Sequence, residues 1–393
     1  MDESRSGRDE IRILRDSARD FVKRHVNTRL LRQRRQTLPG YDTALVAEMQ
    51  SLGWLGILVP EAYDGLGLGF AEMSVVLNEL SRGMMAEPLS ATVVLGGRLL
   101  LHGKNQALMK RLLPTVAAGN CMPALAWQEP GNDGLHHVPQ LVADSSGDGF
   151  RLSGLKHLVA GAGDASGFIV SARCDKGLGL FWVEAGDAAI ELQHAWRADG
   201  TPASTLRLAG ARVEPEAIVA VGALAEEALA CALDETTVML SAELVGVMGK
   251  VMDMTLEYLR TRVQFGRPIG SFQALQHRAV DLFIQQQLSL SVLEEACRTL
   301  DATPTALERA RIASRVKSRC SDAGLRIVRE AIQLHGAIGM TDELDLGLYV
   351  KRALVLAAWL GNGALHRERF AQLPMTQAAS FDVPTESGKL NLA

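Results

Sequence analysis

Hydrophobic positions recur at helical spacing through the first third of the chain. In DEIRILRDSARDFVKRHV, Ile11, Leu14, Ala18, Phe21 and Val22 share one face at steps of three and four, which predicts an amphipathic helix. YDTALVAEMQSLGW and GFAEMSVVLNELSRG repeat the habit, so residues 1–120 read as an all-α domain. Between them lies PEAYDGLGLG. Its GxGxG spacing follows no strand, and it reads as a turn rather than a phosphate loop. The texture changes near residue 121. FRLSGLKHLVAG, SGFIVSAR, GLGLFWVEA, IELQHAW and STLRLAGARV are short apolar or alternating runs split by Gly, Asp and Ser, which predicts an antiparallel β-domain over 121–222.

Residues 223–393 return to helical spacing. A first helix turns Leu240, Leu244, Val247, Val251, Thr255 and Tyr258 inward, and a second covers about 272–300. A third, with Thr303 as N-cap and Pro304 at the first helical position, buries Ile312, Val316, Cys320, Ala323, Ile327 and Ala331. It ends at His335-Gly336, where glycine suits the residue after a helix. With one shorter helix these make a four-helix bundle. The expected class is α+β multidomain: helical domain, antiparallel β-domain, helical bundle.

Composition narrows the function. The net charge of −4 argues against nucleic acid or a charged membrane surface as partner. One basic cluster, RLLRQRR (29–35), reads as a solvated face or subunit contact rather than an anion site. The five cysteines form no CxxC pair, which fits buried thiols in a reducing compartment and neither a disulfide frame nor a metal site. The polar N-terminus and the lack of a membrane-length apolar run make the cytoplasm the expected location.

Candidate chemistry concentrates in YLRTRVQFGRPIGSFQALQH (258–277), where two helical patterns meet. Arg262 at a helix C-terminus is explained in part by the helix dipole, and the break can be a simple capped turn. The whole run suggests more. Arg262 can pair with a diphosphate, Gln264 can donate and accept, and Phe265 offers an apolar plate; Phe272 and Gln273 repeat the aromatic–amide pair. This run, QLHGAIGMTDE (333–343) and LAWQEPGNDG (125–134) closely resemble the signatures of the acyl-CoA dehydrogenase family, and the likeness extends over nearly the whole chain.

That resemblance implies FAD held between the β-domain and the bundle, with part of each site supplied by a neighbouring subunit. Arg262, Gln264, Phe265, Phe272 and Gln273 would grip the diphosphate and adenosine half. Gln333, His335, Gly336 and Ala337 would approach the same cofactor. On the ring side it implies Gln128, Leu158 and Ala160. Family members commonly carry Thr or Ser, Trp, and Thr or Ser at those places; Leu158 can cover a ring face, but Ala160 offers no side-chain donor.

The implied reaction is α,β-dehydrogenation of an acyl-CoA thioester, in which a carboxylate removes the α-proton while the β-hydride passes to flavin. The usual glutamate position falls at Leu360-Gly361-Asn362, with Gly361 in its place, and no carboxylate stands between Lys351 and Glu368. An alternative family position falls on Thr236, flanked by Asp234 and Glu235. Glu243, two turns on in an apolar helix, is the remaining candidate base, with a structural ion pair as its competing role. The chain is similar to small subunits of pimeloyl-CoA dehydrogenase and to paired bacterial dehydrogenase subunits. The implied partners are an acyl-CoA, an acceptor such as an electron-transfer flavoprotein, and further subunits in a dimer, tetramer or hetero-oligomer. A complete dehydrogenase, a base-deficient subunit, and a flavin oxidase or oxygenase on the same fold all stay open.

Overall fold

A computed structural model describes residues 3–85, 88–131 and 138–374. Residues 132–134 of the LAWQEPGNDG segment therefore lie outside the described residues. The N-terminal helices are α1 (Glu3–His25), α2 (Thr28–Arg34), α3 (Thr43–Ser51), α4 (Phe70–Arg82), α5 (Leu95–Gly103) and α6 (Gln106–Ala117). Asn27, Asp42 and Asn105 start α2, α3 and α6 by accepting hydrogen bonds from backbone N–H groups in the first turn. The predicted face of α1 is turned inward: Ala18 and Phe21 are buried, and Phe21 meets Trp54 edge-on at 5.2 Å. A single π turn, Ser90–Val94, leads into α5.

The middle domain is one eight-stranded sheet built from β1 (Pro123–Ala126), β2 (Val142–Ser146), β3 (Gly149–Ala160), β4 (Gly167–Cys174), β5 (Gly177–Glu184), β6 (Ile190–Trp196), β7 (Pro202–Val213) and β8 (Ile218–Val221). Its order is β6-β7-β3-β2-β4-β5-β8, with β1 paired to β4. The long ladders are antiparallel, as the alternating runs require; β1 runs parallel to β4, and β2 touches β4 in the same sense. Phe168, Val170, Phe181, Leu152 and Leu206 fill its core.

The C-terminal helices are α7 (Ala223–Thr261), α8 (Gln273–Asp301), α9 (Ala306–His335), α10 (Leu346–Ala358) and α11 (Gly363–Gln372). A two-strand hairpin, β9 (Val263–Gln264) and β10 (Arg267–Pro268), joins α7 to α8. The sequence suggests that α7 has one buried face. Instead every residue from 231 to 249 is buried, because α4 and α5 cover one side and α8, α9 and α10 the other. It is the central post of the molecule. The third helix also starts later than its Thr-Pro pair suggests. Thr303 adopts φ +49, and the cap is Thr305, whose hydroxyl accepts from Glu308 N while Glu308 accepts from Thr305 N at 2.9 Å. A reciprocal Thr-x-x-Glu box outcompetes a lone Thr before proline. The inward residues of α9 and its end at Gly336, φ +67, are as expected. None of the described helices is long and apolar enough to cross a membrane.

Where α4 crosses α7 the backbones nearly touch. A Cβ on Gly246 would lie 2.1 Å from the Asn78 carbonyl oxygen. Gly246→Ala is therefore expected to destabilise the fold by about 2 kcal/mol through overpacking. Gly347→Ala, in open space on α10, is expected to be neutral or to stabilise by up to about 1 kcal/mol. Thermal unfolding compares them, and equal midpoints for the two variants would refute the close approach.

Candidate active site

The junction after α7 projects from the bundle. Arg262 caps the helix, its N–H bonding Tyr258 O at 2.9 Å, and the hairpin lifts Phe265 to its tip at φ +52 and 90% exposure. Phe265 meets Phe272 edge-on at 6.0 Å, and the Arg267 guanidinium lies 4.2 Å over the Phe272 ring. Gln264 and Gln273 are exposed beside them. At the end of α9, Gln333, Gly336 and Ala337 are exposed, whereas His335 is buried and bonds Ala331 O at 2.8 Å. The His335 ring stacks on Tyr258 with centroids 4.6 Å apart, which fastens the two helix ends together. The nine residues implied for the diphosphate end thus come from two adjoining helix ends. Seven are exposed, Phe272 is half-buried, and His335 holds the base of the group.

The ring-side residues stand on the β-domain. Gln128 accepts from His157 N at 2.8 Å through its carbonyl. Leu158 is 44% exposed at φ +53, where the β3–β7 register breaks, and Ala160 is buried opposite Ala203. Beneath them Lys156 is wholly buried, donating to Glu129 at 2.6 Å and to Ser171 at 3.0 Å. Burial lowers Lys156 to about 8 against the pull of Glu129. For Glu129, burial acts upward, but Lys156 and the N–H groups of Gln140 and Leu141 outweigh it and lower the pKa.

The buried carboxylates of α7, Asp234, Glu235 and Glu243, are all engaged. Asp234 takes Arg369 of α11 at 2.5 and 3.1 Å, with Arg309 at 3.7 Å. Glu235 takes Arg98 of α5 at 2.8 and 2.9 Å, and His102 at 2.9 Å. Burial would raise the Glu235 pKa, but Arg98 and His102 overcome it and bring the carboxyl to about 2. Thr236 is fully buried and bonds Ala232 O at 2.7 Å. Glu243, the sequence's candidate base, is 0% exposed. It accepts from Ser90 Oγ at 2.5 Å and from Arg352 at 2.5 Å, while Arg352 also donates to Asp199 at 3.0 Å. With both oxygens paired and no access, Glu243 has the geometry of a structural ion-pair partner.

The position that the resemblance implies for the base is closed. Gly361 sits at φ +94, and a Cβ there would lie 2.9 Å from both His366 Nε2 and Leu365 Cδ2. Leu360 is buried at φ +55. Lys317, wholly buried, donates to Trp359 O at 2.8 Å and to Leu356 O; His366 Nε2 donates to Leu360 O at 2.8 Å. Burial lowers Lys317 to about 7 and His366 to about 4. Sequence reasoning did not single out Lys317, Arg352 or His366. A signal was present: Lys317 interrupts the apolar face of α9 between Ala313 and Cys320, and Arg352 lies a turn from both Leu348 and Leu356.

A separate cleft of about 450 Å³ opens between the sheet and the first turns of α7, lined by Trp127, Pro139, Leu178, Leu229 and Leu233, with Arg173 and Glu226 also present. Comparison with known proteins gives this arrangement its frame. The family descriptions "Acyl-CoA dehydrogenase, N-terminal domain" and "Acyl-CoA dehydrogenase, C-terminal domain" match residues 8–120 and 227–373. The chain belongs to the acyl-CoA dehydrogenase family. Acyl-CoA dehydrogenase IpdE2 of Mycobacterium tuberculosis is 28% identical over 353 residues, 88% of this chain and 91% of that protein. A solved variant of the Tcur3481-Tcur3483 steroid ACAD is 29% identical, with a TM-score of 0.82 over 93% of this chain and 97% of that one. A chain of the ChsE4-ChsE5 complex from Mycobacterium tuberculosis is 25% identical, with a TM-score of 0.84 over 93% and 98%.

FAD is the cofactor of this family, and the two ends of its site fit unequally here. The exposed cation, amides and aromatic rings of 262–273 suit a dinucleotide diphosphate. The ring side offers Leu158 as an apolar cover, but Ala160 has no donor, so hydrogen bonds to the ring must come from backbone or from Gln128.

The Glu235 pairing sets an acid dependence. In the unfolded chain this carboxyl takes a proton near the ordinary 4.5, in the folded chain only near 2. Between those values the unfolded state binds more protons, so stability falls as pH drops through the window, by about 3 kcal/mol. Glu235→Gln is expected to be less stable at pH 7 and to decline less steeply from pH 5 to 2. Urea denaturation across that range measures both, and parallel declines would contradict the pairing.

Proposed function

We propose that this acyl-CoA dehydrogenase-type oxidoreductase works as the base-deficient subunit of a hetero-oligomer. It grips the diphosphate and adenosine half of an FAD shared with a second dehydrogenase subunit, and that subunit supplies the carboxylate that removes the α-proton of the acyl-CoA. Bound FAD would supply the acceptor for the β-hydride, with an external electron acceptor such as an electron-transfer flavoprotein needed to restore it. The chain's own residues position and neutralise. Arg262 balances diphosphate charge, Gln264 and Gln273 supply amide hydrogen bonds, and Phe265 with Phe272 provides an apolar plate. The turn at Gly336-Ala337 lets backbone approach closely. The cleft beside Trp127 and Leu178 is the place for a thioester's apolar body.

One observation carries this reading: the 359–362 loop is shut where a carboxylate would stand, with Gly361 at φ +94 and His366 in the space of its absent side chain. The buried α7 carboxylates do not replace it. A base must reach the proton it takes, and Asp234, Glu235 and Glu243 are enclosed with arginine on their oxygens. Family membership fits a complete dehydrogenase equally, but in that reading Glu243 would have to leave Arg352 and Ser90 to act.

The purified chain is expected to be colourless with added FAD and inactive on acyl-CoA, and to yield a yellow, active complex when co-expressed with a dehydrogenase subunit encoded beside it. In that complex Arg262→Ser is expected to lower bound flavin at least tenfold, the scale of losing a charged hydrogen bond. A yellow chain that acyl-CoA bleaches without a partner would overturn the proposal.

Gly361→Glu is expected not to create activity in the isolated chain. The Cβ meets His366 and Leu365 and the backbone is left-handed, so the variant is also expected to lose about 2 kcal/mol or more in stability. Turnover of acyl-CoA by this variant with FAD, followed by dye reduction, would show the position to be open.

A further inference from the structure

We propose that the N-terminal half carries a second small-molecule site, which binds an aliphatic carboxylate. A cavity of about 350 Å³ lies among α1, α2, α3, the end of α4, the β6–β7 turn and the first half of α10. It shares no lining residue with the cleft beside Trp127 and includes none of the cofactor residues named above. Its size falls in the range of small-ligand pockets.

The cations around it are not equally satisfied. Arg34 pairs with Asp42 at 2.7 Å, Arg24 with Glu48 at 3.2 Å, and Arg352 with Asp199 and Glu243. His25 also lies 3.0 Å from Glu48. Arg35 differs. Its Nη2 is buried and meets no hydrogen-bond acceptor; Asp199 and Asp342 act on it only through space, and Arg32 opposes them. A second group is also short of a partner. Ser81 is 2% exposed, lines the cavity, and its hydroxyl makes no hydrogen bond. A buried donor left unpaired costs free energy that a ligand oxygen would recover.

The rest of the wall sets the ligand's body. Leu45, Val46, Met49, Met84 and Leu348 are apolar. They offer a bare phosphate nothing, whereas a hydrocarbon tail gains by leaving water. One carboxylate on such a tail answers both features: its charge meets Arg35, Ser81 adds a hydrogen bond, and the chain lies along α3 and α10. The basic cluster 29–35 is thus more than a solvated face. Arg32 binds Asp345, Arg34 binds Asp42, and Arg35 is left to a ligand.

Titration calorimetry on the full chain tests this with three probes: octanoate, 1-octanol and inorganic phosphate. Octanoate is expected to bind saturably at millimolar concentration or below, with the alcohol and phosphate at least tenfold weaker. Arg35→Gln is expected to weaken octanoate at least tenfold while Arg35→Lys retains part of the affinity. Leu45→Trp, filling the cavity from a half-buried wall position, is expected to abolish binding and keeps the test decisive if Arg35→Gln fails to fold. Octanoate affinity unchanged in the folded variants would place the ligand elsewhere and overturn the proposal. Phosphate binding as tightly as octanoate, or no saturable binding by any probe, would overturn it as well.

Discussion

The molecule is organised by a central helix whose middle, residues 231–249, is buried on every side and yet carries three carboxylates, Asp234, Glu235 and Glu243. A charge removed from water is tolerated only when it is paired and hydrogen-bonded where it stands. Each of these three buried carboxylates therefore draws a cation from a different direction: Arg98 from α5, Arg369 from α11, and Arg352 from α10. The pairs act as directional pins. An apolar α7 could be rotated or slid within its sleeve with little penalty; one whose Asp234, Glu235 and Glu243 must find these arginines has one angle and one register. Removing one partner of such a pair typically costs about 3–5 kcal/mol, because the other is left charged and buried. The Glu243–Arg352–Asp199 chain reaches further than the bundle, since Asp199 sits in the β6–β7 turn and is itself bonded to Thr201. Burial would raise the Asp199 pKa, yet Arg352 and Arg197 keep it lowered, so this link between bundle and β-domain stays charged.

The same constraint limits chemistry. A general base must be free to approach its substrate's proton, and a carboxylate that pins a fold must keep its cation. The demands conflict, and on α7 the structural one has won. The loop between α10 and α11 shows the complementary solution. Its carbonyls are taken by Lys317 and His366, two buried bases whose lowered pKa values reflect the burial that puts them there. A loop whose carbonyls are held from within, with left-handed backbone at Leu360 and Gly361, is a finished structural element.

Much of the fold was legible because it follows from periodicity. The face of α1, the alternating strands of the sheet and the inward row of α9 are statements about which side chains leave water, and hydropathy records that directly. Two features were not legible, for different reasons. The all-round burial of α7 depends on elements far away in sequence, so a single helical window reads it as ordinary amphipathicity. The true start of α9 was lost to proximity: Thr303-Pro304 looks like a cap, and the reciprocal bond that favours Thr305 needs Glu308, three residues on. For the site, Arg262, Phe265 and Phe272 were visible as a run of unlike chemistries at a helix break. Glu243 was visible as an anomaly. Its meaning was not, since the residue that explains it, Arg352, lies 109 positions later.

The residues proposed for the cofactor place a final demand on assembly. Phe265 at the hairpin tip, with Val263 and Met340 nearby in sequence to the two helix ends, leaves apolar groups in water that the single chain does not cover. Isolated exposed hydrophobes are ordinary, but here they surround an exposed arginine and two amides on adjoining helix ends. A chain in isolation gains nothing from that arrangement. In the proposed assembly a dinucleotide extended from a neighbouring subunit would gain a counter-charge from Arg262 and a dry edge from Phe265, and its seating would in turn cover both rings. On the proposed reading the bundle end is half of a site, and the shut loop at Gly361 belongs to the same division of labour. In the proposed assembly one protein surface would keep the grip on the cofactor, and the proton-transfer chemistry would fall to a partner whose corresponding loop is free to hold a carboxylate.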